Sequence, residues 1–208
     1  MVDFIKAIER PFTDFKKFML GLLFSLIPIV NFIAAGYELE CGRLASKKQF
    51  KLPEWGGYGK LFIKGLLQFC ISLIYLMIPV VLFLIGFWGG FATLFSGNPD
   101  AGLIIAVLIS NWILILVSVL LFILAAYVSY SAIVNFAIKG RFKDGFSVDV
   151  WKRAFTWRYF MVIFIGVVYM ALWMLLLSFI PYVGGVVAGF VGGVTIFTLL
   201  GQVYSEIR

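Results

Sequence analysis

Histidine is missing from this chain altogether, and with it the commonest general base near neutral pH and the commonest metal ligand. Charge is scarce as well: 13% of the 208 residues carry one, against roughly 25% in soluble domains. The two cysteines, Cys41 in a charged stretch and Cys70 in an apolar one, make neither a disulfide framework nor a metal site. Ser25, Ser118 and Ser178 have no triad partner, and hydroxyls in apolar helices bond their own backbone. No strand pattern precedes a glycine-rich phosphate loop. These gaps argue against an enzyme, and no catalytic, cofactor-binding or metal-ligating residue is expected. Carboxylates are absent from the apolar runs proper, since Glu38 and Glu40 stand at a boundary and Asp144 and Asp149 in a polar block. Ion-coupled pumps need an ionisable group within the membrane, so the pattern argues against one.

What the chain has is hydrophobicity. Hydrophobic residues make up 63% of it, with a mean hydropathy of +1.07. That describes an all-α, polytopic integral membrane bundle. At about 20 residues per crossing, 208 residues hold four or five spans in a single membrane domain, 1–208. The net charge of +7 does not point to nucleic acid, because the basic residues flank apolar runs, as the positive-inside bias requires. Lys16, Lys17, Lys47, Lys48, Lys51, Lys60, Lys64, Lys152, Arg153 and Arg158 are read as a lipid-facing basic set on the cytoplasmic side of a cell membrane, where anionic lipid attracts each by about 1 kcal/mol.

Residues 1–18 mix apolar positions three to four apart with Lys6, Arg10, Lys16 and Lys17, the pattern of a helix in the interface plane. A signal peptide is the competing reading, weakened by Pro28 and Asn31 in its core and by the spans that follow. Residues 18–37 could cross once, but Pro28 sits at the centre and both flanks are basic. A re-entrant hairpin turning at Pro28-Ile29-Val30-Asn31 keeps both flanks, and so the N-terminus, on the cytoplasmic side; a fifth span is the alternative. The words Leu26-Ile27-Pro28-Ile29-Val30 return as Phe179-Ile180-Pro181-Tyr182-Val183, between two complete spans, and this echo favours a turn. Residues 38–64 form a basic loop with a Leu52-Pro53-Glu54-Trp55 turn, read as an interfacial elbow rather than a docking loop.

Four spans are expected at 61–91, 103–138, 159–180 and 183–204. The second of these is too long for the bilayer alone, so it must tilt or emerge. Between the first two, Gly89 to Asp100 lacks Lys and Arg, as an external loop should. The block 139–158 contains a second basic, aromatic interfacial stretch ahead of a hairpin, parallel to the first, and the chain ends inside at Arg208. Gly185, Gly189 and Gly193 recur every fourth residue, a face for close helix packing, intramolecular or between copies.

The run RPFTDFKKFMLGLLFSLIPIVNFIAAGYELECGR, then LPEWGGYGKLFIKGL, then GQVYSE resembles the prokaryotic multi-pass membrane proteins grouped as domain-of-unknown-function family 4013. The most specific parts are Ile27 to Asn31 with Gly36-Tyr37, the Leu-Pro-Glu-Trp turn with Leu61, Phe62 and Gly65, and Gly201-Gln202 with Tyr204. The resemblance implies a polytopic fold and no mechanism. Two roles stay open. The first is a non-catalytic scaffold or adaptor that engages anionic lipid or a partner protein through the basic face, as a monomer or homo-oligomer. The second is a small transporter or lipid translocator with a cavity at the broken first segment. Asn31, Tyr37, Glu38, Gln68, Asn111 and Asn135 are the polar residues that would either line that cavity or hydrogen-bond helices together.

Overall fold

The computed structural model describes residues 2–95 and 100–206. Residues 96–99 of the expected external loop, and the terminal Arg208, lie outside them. Among the described residues, all regular structure is helical. The chain divides into two compact units, Met1–Ile71 with Tyr130–Arg208, and Ser72–Ser129. Four helices are long and apolar enough to cross a membrane: α4 (Tyr58–Gly86), α7 (Trp112–Lys139), α9 (Trp157–Leu176) and α10 (Val183–Glu206). The chain is a membrane-embedded helical protein.

The N-terminal 18 residues do not form one helix. Asp3 caps α1 (Phe4–Glu9) by accepting from the Lys6 N–H, Pro11 diverts the chain into a 3₁₀ turn (Arg10–Phe12), and Asp14 caps a new helix, α2 (Phe15–Leu26). Nor is 18–37 a single helix. α2 ends at Leu26, the chain reverses, and α3 (Asn31–Ser46) packs back against it. The reversal turns on Ile29, whose φ of 71° is uncommon for a β-branched residue. The echoed turn uses the same device: Tyr182, also directly after a proline, has φ 65° and joins α9 to α10. The shared words therefore encode a shared turn, and the two turns meet, since the Tyr182 hydroxyl donates to the Leu26 carbonyl at 2.8 Å.

α3 lies along α10 and runs parallel to it. Glu38 faces Gly193, Gly42 faces Phe197, and Gly201 meets Gly42 and Ala45, so numbers rise together on both helices. Two helical hairpins of the same sense, α2–α3 and α9–α10, thus pack through their second helices. α10 is the core of this unit, with 67% of its most apolar stretch buried, against 17% for the other three long helices. The glycines that permit close approach differ from the expected stripe. A Cβ at Gly36 would strike the Leu61 carbonyl and one at Gly65 the Phe32 carbonyl, so α3 and the start of α4 touch backbone to backbone. Gly185 and Gly189 have open space where a Cβ would stand, so of that stripe only Gly193 packs closely among the described residues.

The unit Ser72–Ser129 carries most of α4 and the start of α7, with α5 (Trp88–Phe95) and α6 (Ala101–Ser110) between them. Part of the expected loop 89–100 is thus helical. The over-long segment at 103–138 is accommodated by a break: α6 ends at Ser110, Asn111 leaves helical geometry, and α7 begins at Trp112. Gly140, with φ 82°, ends α7; a 3₁₀ helix (Phe142–Phe146) and the short α8 (Val148–Ala154) follow.

Candidate functional site

Three polar clusters stand out in the larger unit. The first is built on Arg10, which is 1% exposed. Its guanidinium donates to the Cys41 carbonyl and the Thr198 hydroxyl, both at 2.9 Å, and to the carbonyls of Lys51 at 3.1 Å and Gln49 at 3.4 Å. All its acceptors are neutral, and desolvation in that setting pulls its pKa down from the usual arginine value. Beside it the Leu-Pro-Glu-Trp turn closes over the first hairpin. The Trp55 ring stacks on Tyr37 at 3.9 Å and 5°, its N–H donates to the Lys17 carbonyl, and the Tyr37 hydroxyl donates to Pro53. Lys17, expected to face lipid, is instead 8% exposed. It donates to the Leu52 carbonyl and pairs with Glu54 at 2.7 Å, because the cap at Asp14 starts α2 in the register that turns Lys17 toward the turn. Tyr37 is accordingly part of a clamp between the first hairpin and this turn.

The second cluster is a cleft of about 440 Å³. Arg43, Lys60 and Lys64 stand on its wall with Glu40, above an apolar lining that includes Ile63, Leu67, Phe136 and Ile138. Glu40 accepts from Arg43 and from Lys64, the latter at 2.8 Å. Burial alone would raise its carboxyl, but these two donors outweigh burial and hold it below the ordinary range. Lys60 is exposed and has no partner among the described residues.

The third is Asn135, 0% exposed. Its amide donates to the Asp144 carbonyl at 2.6 Å and the Ser147 hydroxyl at 2.9 Å, and its oxygen accepts from Tyr204 at 2.9 Å. This binds α7, the 3₁₀ helix and α10 together, the interhelical role considered for it. Arg141 pairs with Asp144 at 3.0 Å, and that hydrogen bond holds the Asp144 carboxyl below its usual range.

The other expected site residues do not gather. Asn31 is exposed beside the first turn, while Asn135 joins Tyr204 near the opposite end of α10, so the fold does not bring the two together. Asn111 bonds only locally, to the Val107 carbonyl and Ser110, because it terminates α6 instead of packing between helices. The Gln68 side-chain oxygen is buried without a hydrogen-bond partner. Glu38 has no hydrogen bond or ion pair among the described residues, and its carboxylate lies against Gly193. Of the basic set, Lys16, Lys47, Lys48, Lys51, Lys60 and Lys152 are exposed. Arg153 lies over the Tyr204 ring at 3.7 Å, Arg158 reaches Glu206 at 3.3 Å, and Lys64 is committed to Glu40. Sequence reasoning did not single out Arg10 or Thr198. Arg10 does stand before a proline in a mixed apolar and charged stretch, but nothing local says which carbonyls it will meet.

The family described as "Protein of unknown function (DUF4013)" matches residues 19–201. No curated protein and no solved structure matches the chain. The matched region takes in most of both hairpins, the Leu-Pro-Glu-Trp turn and the cleft-lining residues.

Proposed function

The chain belongs to the DUF4013 family of proteins of unknown function, and on that premise we propose that it is a non-catalytic membrane scaffold that holds anionic lipid at a basic cytoplasmic face. One observation carries the reading: the cleft sets three cations, Arg43, Lys60 and Lys64, against a single carboxylate, Glu40, over an apolar lining. A lipid phosphate matches the charged wall, and an acyl chain matches the lining. Lys60 supplies a free ammonium, while Glu40 keeps Arg43 and Lys64 in place.

In this reading the first hairpin enters the membrane and returns to the same side. At 1.5 Å per residue α2 is only about 18 Å long, short of a hydrocarbon core of about 30 Å. The basic segments around Lys16, Lys47, Lys60 and Lys152 then share the cytoplasmic side with the aromatic stretch from α8 to the start of α9, where Trp151, Phe155 and Trp157 are exposed.

Native mass spectrometry from nanodiscs containing phosphatidylglycerol and phosphatidylcholine tests the proposal. Phosphatidylglycerol should stay bound in defined number, and Lys60→Gln should reduce its retention. Equal retention of the two lipids, or no change in Lys60→Gln, would overturn the lipid role.

A further inference from the structure

Among the described residues, Glu38 is the one carboxylate placed among apolar helices without a cation or N–H donor to meet it. The chain has ten acidic residues. Asp3, Asp14 and Asp100 cap helices, and Glu40, Glu54, Asp144, Asp149 and Glu206 form ion pairs. Glu9 is exposed. Glu38 is half-buried and has none of these outlets among the described residues. Its carboxylate rests directly on the backbone of α10, in space that exists because residue 193 is glycine; a Cβ there would collide with the carboxylate carbon and both oxygens. Gly193 lies about 15 Å along α10 from Val183, by the rise of the helix, and so well inside a membrane-spanning segment.

The surroundings offer no compensation. α10 presents no titratable side chain at this level, and α7 presents Tyr130, which makes no hydrogen bond to Glu38. On α3 itself the neighbouring titratable group is Cys41; the two terminal nitrogens of Arg10 donate to Cys41, Thr198, Gln49 and Lys51, and its Nε is buried without a hydrogen-bond partner, Glu38 included. Glu40, two residues on, turns to the cleft and takes Arg43 and Lys64. An ionised carboxylate left unpaired in such a place carries a desolvation cost that a neutral carboxylic acid avoids. Location adds to this, because Glu38 sits where the second helices of two like hairpins meet. In membrane proteins built from repeats, that interface is where coupling ions bind.

We propose that Glu38 is a proton-binding site at the interface of the two hairpins, carrying its proton at neutral pH and controlling the contact between α3 and α10. With the proton present, the neutral acid packs on Gly193. Without it, an uncompensated charge is pressed against an apolar helix, and the contact loosens. The ligand is a proton, since one carboxylate and a glycine cannot coordinate a metal ion.

Infrared spectroscopy of the whole protein in nanodiscs at neutral pH tests this. The wild type should show one carbonyl band of a protonated carboxylic acid, shifted on exchange into D2O and lost in Glu38→Gln. Glu40→Gln should leave that band intact. Glu38→Asp, which keeps the group on a shorter arm, should retain a band at an altered frequency, so the result does not depend on how Glu38→Gln folds. Absence of the band at neutral pH, or its loss in Glu40→Gln in place of Glu38→Gln, would overturn the proposal.

Discussion

Replacing Arg10 with methionine measures what a buried guanidinium contributes when every acceptor is neutral. Its bonds to Cys41, Thr198 and Lys51 are of good length, and the bond to Gln49 at 3.4 Å is long. Bonds to a charged group are each worth roughly 1.5–3 kcal/mol, but burying a cation costs several kcal/mol, which offsets much of that. Methionine removes both terms and fills similar space. What it leaves behind sets the loss. The Cys41 carbonyl lies inside α3, and the Thr198 hydroxyl still donates to Val194 at 2.6 Å, so both keep a partner. The carbonyls of Gln49 and Lys51 lie outside any helix and lose the guanidinium. Two orphaned acceptors at about 1–1.5 kcal/mol each give a loss of about 2–3 kcal/mol. In a chain of this size that lowers Tm by about 5–10 °C. Arg10→Lys should be worse than methionine, because one ammonium keeps the buried charge yet cannot span both pairs of acceptors. Thermal unfolding in nanodiscs, followed by tryptophan fluorescence, reads the loss; limited proteolysis between Lys47 and Gly57 reads the freed loop. If Arg10→Met unfolds within about 1 °C of wild type, the guanidinium is not holding these elements together.

Gly36→Ala and Gly65→Ala should each cost about 1–3 kcal/mol by overpacking, since the new methyl meets a backbone carbonyl that no side-chain rotation can move. Gly189→Ala, which meets open space, should leave the monomer's Tm unchanged; equal losses at all three positions in the same unfolding assay would refute the assignment of the close contact. Glu40 should make stability acid-sensitive. Its folded pKa lies below its ordinary value of 4.5, so its contribution is complete above that value and is lost as the pH falls through the folded one. Tm against pH should therefore decline on acidification in wild type and more gently in Glu40→Gln, and superimposable profiles would show that the Arg43 and Lys64 contacts add nothing.

The sequence by itself determined the class of this protein, its family and the presence of long apolar helices. Composition and span length follow directly from the cost of leaving backbone polar groups unpaired in lipid, a rule that needs no tertiary information. It also marked the reversal at Pro28 through the echo at Pro181, because a proline followed by a left-handed residue is a local device. Tertiary structure decided where the charges went. Lys17 and Lys16 are adjacent and chemically identical, yet one is buried under the Leu-Pro-Glu-Trp turn and the other is exposed. Glu38 and Glu40 stand two residues apart, and only the second meets cations. The glycine stripe 185–189–193 has a regular period, but the period records only which residues share a face of α10. Whether a helix arrives at that face depends on how α3 and α4 pack, and they meet at Gly36 and Gly65. Desolvation and close contact act between segments far apart in the chain, so a carboxylate's environment is a property of the fold and cannot be read from its neighbours in sequence.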